Sequence, residues 1–304
     1  FEQDNIQYTI DPFGFHMVIH LTNWKNRIIM SWDYWFNSSP VNRTLDDKIY
    51  TTSVLRNWNV AVPSDMLCVS NASKFHNSTN NFHAVQSFVW KIWMPLVVKP
   101  LLWQQGVWIK KFNEKDALFQ YMSQFFTGEL SDWRILLQES IYWNDYRVLY
   151  LDWKILAAYQ RIPATIIWNG SNNLYNLIDQ FDIPLSKKVY IEEYLLERWL
   201  GLSHIPMEWE EIIVSPTANI SMWWTSQFFN LTHKEKQYVQ QIADVMWARY
   251  FGLDIMVDGD DITQGKVIEL NKSAGIKGMQ TIDPGFEEAF GKIIRETMKR
   301  DEGL

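Results

Sequence analysis

The chain has 304 residues, 47% of them apolar and 21% charged, with a net charge of −7 and an isoelectric point near 5.4. That length and apolar content suit one large core or two to three lobes and exclude intrinsic disorder. The acidic balance excludes a nucleic-acid surface, which needs clustered Lys and Arg.

Residues 1–45 contain short β-like runs at 17–21 and 27–31, split by the turn-like Asn23-Trp24-Lys25-Asn26. Over 46–57 the pattern turns helical, and Val60-Ala61-Val62-Pro63 reads as a strand stopped by proline. A second amphipathic helix is expected over 82–94, followed by the buried strand Pro95-Leu96-Val97-Val98-Lys99-Pro100. A strand at 107–112, a helix at 114–126 and an apolar strand at 135–138 come next. Runs at 146–151 and 155–159 flank Asp152-Trp153-Lys154, which reads as a hairpin. The stretch 174–205 is mostly helical and leads to a strand at 212–214. A long helix over 233–249, strands at 253–257 and 266–270, and a last helix over 285–299 complete the chain. Short helices alternating with antiparallel strands, without repeats or low-complexity linkers, predict an α+β fold of more than one lobe.

Cys68 is the single cysteine, so no disulfide framework or cysteine metal site is expected and a reducing compartment is the simpler reading. His16, His20, His76, His83, His204 and His233 show no metal-ligand spacing. The longest apolar stretch, around 90–98, is interrupted by Lys91 and too short to span a bilayer, and no signal-like segment opens the chain. A cytoplasmic location without a membrane partner follows, and the sequons at Asn37, Asn71, Asn77 and Asn230 read as accidents of an Asn-rich composition. Because residue 1 is Phe, the chain reads as a fragment lacking an N-terminal portion. Trp outnumbers Gly 17 to 13, whereas Gly ordinarily supplies about 7% of residues.

Three groups of residues carry chemistry. Glu269 and Asn271 lie two apart on a strand, so both side chains leave one face, and Asp254 joins them if its strand is the neighbour. Two carboxylates and an amide oxygen suit Mg²⁺, with Mn²⁺ as the alternative ion; the same pattern also suits a polar face turned to water. Lys48 and Lys99 sit at element boundaries, where an ammonium meets either a phosphate or solvent. Arg147, next to Asp145-Tyr146, and Arg161 lie on two strands joined by the hairpin, where they either clamp a phosphoryl group or make surface ion pairs.

Taken in order, Asp47-Lys48 with Thr51, Val60-Ala61-Val62-Pro63, Pro95-Leu96-Val97-Val98-Lys99-Pro100, Gln138-Glu139, Asp145-Tyr146-Arg147, Arg161-Ile162-Pro163-Ala164, Thr217-Ala218-Asn219-Ile220-Ser221, Gly252-Leu253-Asp254 and Glu269-Leu270-Asn271 resemble the ATP-grasp ligases. The resemblance covers about 46–295 and is strongest to the ATP-grasp module of cyanophycin synthetase and of the fused bacterial glutathione synthetases. It implies an α+β ATP-grasp fold with ATP between two lobes: a short β-rich segment at 1–45, the start of the unit at 46–96, a lid lobe at 97–145 and a catalytic lobe at 146–304. It also implies that Lys48 and Lys99 contact the ATP phosphates, that the segment from Gln138 and Glu139 to Ile141 forms the hinge on adenine, and that Asp145 faces the ribose. Arg147 and Arg161 would stabilise the acyl phosphate, and Asp254, Glu269 and Asn271 would hold Mg²⁺. The implied reaction joins a carboxylate to an amine through an acyl phosphate, on small amino-acid or peptide substrates. An inactive ATP-binding interaction module and an ATP-grasp phosphotransferase are the alternatives; assembly as a homo-oligomer is compatible with either.

The departures from that pattern are systematic. It expects Gly where this chain has Trp24, Trp58, Trp93, Trp103, Trp108, Trp143, Trp153, Trp168, Trp199, Trp209, Trp223, Trp224 and Trp247. Trp103-Gln104-Gln105-Gly106-Val107-Trp108 stands where a phosphate-covering glycine loop would be, leaving Gly106 as its remaining glycine. Trp is a poor exchange, since Gly serves positive φ and close backbone approach. Two readings follow: a source that decodes UGA as glycine, with tryptophan written by translation under the standard code, or real tryptophans that pack a core or an interface. Ala274 replaces a favoured Pro, and the first 45 residues are too few for the substrate-binding domain that precedes many such units.

Overall fold

The structure, a computed structural model, describes residues 7–12, 16–20, 26–30, 33–101, 109–127, 134–141, 143–163, 165–167, 171–180, 185–196, 198–207, 210–214 and 225–303. Gly106 and the loop around it, Thr217-Ala218-Asn219-Ile220-Ser221 and Trp24, Trp103, Trp108, Trp168, Trp209, Trp223 and Trp224 lie outside the described residues.

In chain order the elements are β1 (Gln7–Ile10), β2 (His16–His20), β3 (Asn26–Met30), α1 (Ser39–Asp46), α2 (Lys48–Asn57), β4 (Asp65–Val69), α3 (Phe82–Lys91), β5 (Leu96–Pro100), β6 (Lys110–Phe112), α4 (Lys115–Thr127) and β7 (Arg134–Glu139). They continue as β8 (Asn144–Leu151), β9 (Lys154–Ile162), β10 (Thr165–Ile167), α5 (Leu174–Asp179), α6 (Leu185–Leu196), β11 (Glu211–Ile213), β12 (Thr225–Phe228), α7 (His233–Met246), β13 (Tyr250–Val257), β14 (Lys266–Asn271), α8 (Lys277–Gln280) and α9 (Phe286–Glu302). Every strand pairing with a recorded register is antiparallel, as the α+β reading requires.

Where structure and sequence reading differ, local chemistry gives the reason. The expected strand at 60–63 is not a strand; β4 forms just after Pro63, which has no N–H to give to a ladder. The helix expected over 46–57 is α2, and a further helix, α1, occupies 39–46 at the end of the segment expected to be β-rich; the two are separate because Asp47 leaves helical backbone (φ −103°, ψ 106°) and turns its carboxylate to the N–H groups of Ile49 and Tyr50 at 3.1 and 3.3 Å. The boundary expected between 96 and 97 falls inside β5: the sheet β4-β7-β5-β6 with α3 and α4 closes over one core that includes Cys68, Val85, Leu96, Leu118, Met122 and Leu137.

The chain divides into two compact units. The first comprises Phe1–Ala158, Asn230–Gly275 and Glu287–Leu304, and the second Tyr159–Phe229 and Ile276–Phe286. The first holds the sheet just named, the three-stranded β1-β2-β3 and the run β9-β8-β13-β14; β9 continues into the second unit, where it pairs with β12. The second unit has its own apolar cluster of Ile166, Leu174, Leu177, Ile178, Ile191, Leu195, Ile212 and Val214, with the two-stranded ladder β10-β11.

Candidate active site

Strand register builds the site. On β8, β13 and β14 the residues Arg147, Asp254 and Glu269 are direct cross-strand partners, Arg147 opposite Asp254 and Asp254 opposite Glu269, so one transverse row of side chains leaves one face of the sheet. Asn271, two residues further on β14, shares that face. Its amide Nδ2 donates to Asp254 Oδ2 at 3.3 Å and to Glu269 Oε1 at 3.2 Å, which gathers the three expected metal-binding side chains around one point. The ladder shifts register between Asp254 and Ile255, a bulge of the kind that re-aims side chains beside functional sites. Asn271 faces Gly252, where a Cβ would come within 2.6 Å of the Ala274 Cβ and 3.5 Å of the Arg147 side chain. The approach of Ala274 is what requires glycine there, since the Arg147 distance is an ordinary van der Waals contact.

Cations close the site. Arg147 forms a two-pronged ion pair with Asp254: Nε donates to Oδ1, and Nη2 donates to Oδ2 at 2.7 Å. Lys48, the first residue of α2, reaches Glu269 Oε2 at 3.3 Å. Lys99 on β5 is buried, at 8% exposure, and donates to Gln138 Oε1 at 2.8 Å. Burial pulls the Lys99 pKa down to about 8, with Glu269 raising it and Lys48 lowering it further. Burial would raise the Glu269 pKa, but Lys48, Lys99 and Arg147, together with the Asn271 amide, outweigh it and hold the carboxyl at about 2. Among Lys48, Lys99, Arg147, Asp254 and Glu269 the cations outnumber the carboxylates, and Asp65 adds a further negative neighbour to Lys99.

The other expected residues fall around this row. The Gln138 side chain is buried, and its Nε2 has no hydrogen-bond partner among the described residues, so a donor stands ready beside Lys99. The N–H groups of Glu139 and Ser140 are taken by the carbonyls of Ser64 (2.9 Å) and Pro95 (3.1 Å). In the expected hinge a base would therefore meet chiefly the segment's carbonyls and Ile141. The Glu139 carboxylate pairs with Lys266, which sits 5.8 Å above the Trp143 ring; a lone lysine at a strand start carries no signal of such a role in the sequence. Asp145 is buried on β8 opposite Met256. Arg161 belongs to the second unit, on β9 opposite Ser226 of β12. Among the described residues no group of three or more His, Cys, Asp and Glu gathers; the candidate cation site has two carboxylates and an amide, which fits an ion that keeps water and phosphate oxygens as its other ligands. No helix of the described residues is long and apolar enough to cross a membrane.

No protein-family model matches the chain. Among curated proteins it is 26% identical over 246 residues to the glutathione biosynthesis bifunctional protein of Listeria monocytogenes, covering 75% of this chain and 30% of that one. It is 25% identical over 211 residues to cyanophycin synthetase of Trichormus variabilis, covering 60% of this chain and 22% of the relative. The chain therefore matches less than a third of the length of these relatives. Among solved structures it superposes on a bifunctional glutathione synthetase from Pasteurella multocida with a TM-score of 0.56 at 19% identity, over 97% of this chain and 42% of that one. On D-alanine–D-alanine ligase from Bacillus anthracis the TM-score is 0.51 at 16% identity, over 86% and 70% of the two chains. The fold is that of the ATP-grasp ligases.

Proposed function

We propose that this chain is the ATP-binding catalytic unit of a cytoplasmic carboxylate–amine ligase that acts on amino-acid or peptide substrates with ATP and Mg²⁺. The observation that carries the reading is the row Arg147–Asp254–Glu269, with Asn271, Lys48 and Lys99 converging on it. In the reaction a substrate carboxylate oxygen attacks the γ-phosphorus, ADP leaves, and the amine then displaces phosphate from the acyl carbon.

The chain's own groups position and neutralise. Asp254, Glu269 and Asn271 would hold Mg²⁺, the Asn amide offering Oδ1 after a half-turn that exchanges it with Nδ2. Lys48 and Lys99 would receive phosphate oxygens. The Lys48–Glu269 and Arg147–Asp254 pairs thus serve as stand-in partners, each cation occupied by a carboxylate where phosphate would lie, so that none is left buried and unpaired. Arg147 would then face the transferring group, and Gln138 with Asp145 and Ile141 would receive the nucleoside. Calorimetric titration with ATP, with and without Mg²⁺, and ADP release against a panel of amino acids and dipeptides test this. Amine-dependent ADP release is expected. Metal-independent binding without turnover would instead make the chain an inactive module, and a phosphorylated product formed without amine would make it a phosphotransferase.

We further infer that the native chain carries glycine at most of the expected Gly positions now written as Trp, UGA being read as glycine. Among the described residues, the non-glycine positive-φ positions are Asn59, Asp152, Trp153, Trp199 and Trp247. Asp152-Trp153 forms the two-residue turn between β8 and β9 with φ of 45° and 68°, the geometry that favours Asp-Gly. Trp247 ends α7 at φ 53°, where helices most often place glycine, and the indoles at 153 and 247 are 74% and 85% exposed. Large aromatic rings in strained turns that bury little support a backbone built for glycine. Mass spectrometry of the native protein tests it: peptides with Trp at 103, 108, 223 and 224 would overturn the recoding.

A further inference from the structure

Two ionic rungs of opposite polarity join the α1–α2 junction to β14. Lys48 of the junction meets Glu269 of the strand at 3.3 Å, and Lys272, just past the strand's end, meets Asp46 of the junction at 2.8 Å. The first rung must open when phosphate takes Lys48 and a metal takes Glu269. The second involves neither ligand. Lys272 also bonds Asp33 at 3.0 Å, and from Asp33 a polar chain runs inward: Asn42 Nδ2 donates to Asp33 Oδ1 at 3.1 Å and Asn37 Nδ2 to Asn42 Oδ1 at 3.0 Å. Buried Asn37 in turn grips the start of β13, donating to the Tyr250 carbonyl at 2.6 Å and accepting from the N–H groups of Arg249 and Tyr250 at 2.8 and 3.0 Å. Asp254 lies four residues further along that strand.

We propose that Lys272 is a positioning residue of this site, holding the end of β14, the start of β13 and the α1–α2 junction in fixed spacing while the Lys48–Glu269 pair exchanges its partners for phosphate and metal. The inference rests on the ligase reading. Its physical basis is that a fully connected, half-buried polar network resists displacement more than its separate pairs would, because each member orients the next. The Lys272 side chain pairs with Asp33 and Asp46 and with no residue expected to meet phosphate or metal, so its effect runs through Asn271 and Glu269 on one side and Lys48 on the other. Oppositely signed rungs also fix register, since sliding the junction along the strand would bring Asp46 toward Glu269 in one direction or Lys48 toward Lys272 in the other.

The test uses the full chain and its Lys272→Met, Lys272→Arg and Asp46→Asn variants. ATP affinity is measured with Mg²⁺ and with EDTA, alongside KM and kcat from ADP release. Lys272→Met is expected to weaken Mg²⁺-dependent ATP binding by about tenfold, as losses of outer-shell support do, while metal-free ATP affinity stays within about twofold. KM for Mg·ATP should rise more than kcat falls, and Lys272→Arg should recover most of the loss. A purely structural role would lower the melting temperature and leave the metal-dependent increment untouched; that result, or equal loss with and without metal, overturns the proposal. If Lys272→Met does not fold, Asp46→Asn carries the test, because it removes the same rung yet leaves Lys272 paired with Asp33; a loss of about threefold confined to the metal-dependent increment is expected, and none overturns the proposal. A parent chain that binds no Mg·ATP refutes the ligase reading itself. A parent that binds with unaffected variants refutes only the role of Lys272.

Discussion

The two units bury different things. In the first, Lys99, Gln138, Asp145 and Asp254 are nearly inaccessible, and all the buried polar or charged residues among the described ones belong to this unit. In the second, the buried set is apolar, mainly aliphatic with Tyr159, Met279 and Phe286, and the strands β10 and β11 each alternate exposed, buried, exposed. Burying a charge is costly unless it is paired, so a fold keeps buried ions where they have work that an apolar residue cannot do. The contrast is between a first unit that buries paired charges, including Asp254 of the row on β8, β13 and β14, and a second whose buried side chains are apolar.

The sharpest way to break this contrast is Glu269→Gln. It keeps the shape but removes the charge of the proposed metal ligand and of the partner of Lys48, and Mg²⁺-dependent ADP release is expected to fall by about 100-fold or more. Activity within threefold of the parent would remove Glu269 from the site. Leu195→Ala, fully buried in the second unit, should cost about 2–5 kcal/mol of stability by denaturant titration. A cost below about 1 kcal/mol would mean that this aliphatic cluster does not carry that unit's packing.

Lys99 supplies a pH test with two signs. Its folded pKa of about 8 lies below the value near 10.4 of an unfolded lysine, so between those limits the unfolded chain holds a proton that the folded one has lost. Its contribution to stability therefore rises with pH between about 8 and 10.4. Phosphate binding needs the ammonium, so ATP affinity should fall by about tenfold per unit above pH 8 as far as Lys99 governs it. Lys99→Met should abolish both trends, and a pH profile unchanged in the variant would detach Lys99 from the nucleotide. The smallest expected effect is in the turns. In a chain made with tryptophan as written, Trp153→Gly or Trp247→Gly should each stabilise by about 1 kcal/mol, through relief of the left-handed backbone. Destabilisation would show that these indoles contribute packing.

Much of the site was legible in the residues because its logic is local and periodic. Glu269 and Asn271 share a face by the strand's twofold alternation, and the hairpin about Asp152 follows from turn chemistry. Pro63 shows the limit: it marked a strand end in the sequence, yet β4 begins after it, because strand existence depends on β7 offering partners at Arg134–Glu139.

What sequence alone determined is which residues can carry charge, which faces are apolar, and where the chain must turn, since these follow from side-chain chemistry and backbone sterics within a few residues. Tertiary structure alone decided that Arg147, Asp254 and Glu269 stand in one row, that Lys99 rests on Gln138 and that Lys272 bridges Asp33 and Asp46. Register between distant strands is set by the packing of whole faces, and no window of sequence contains both partners.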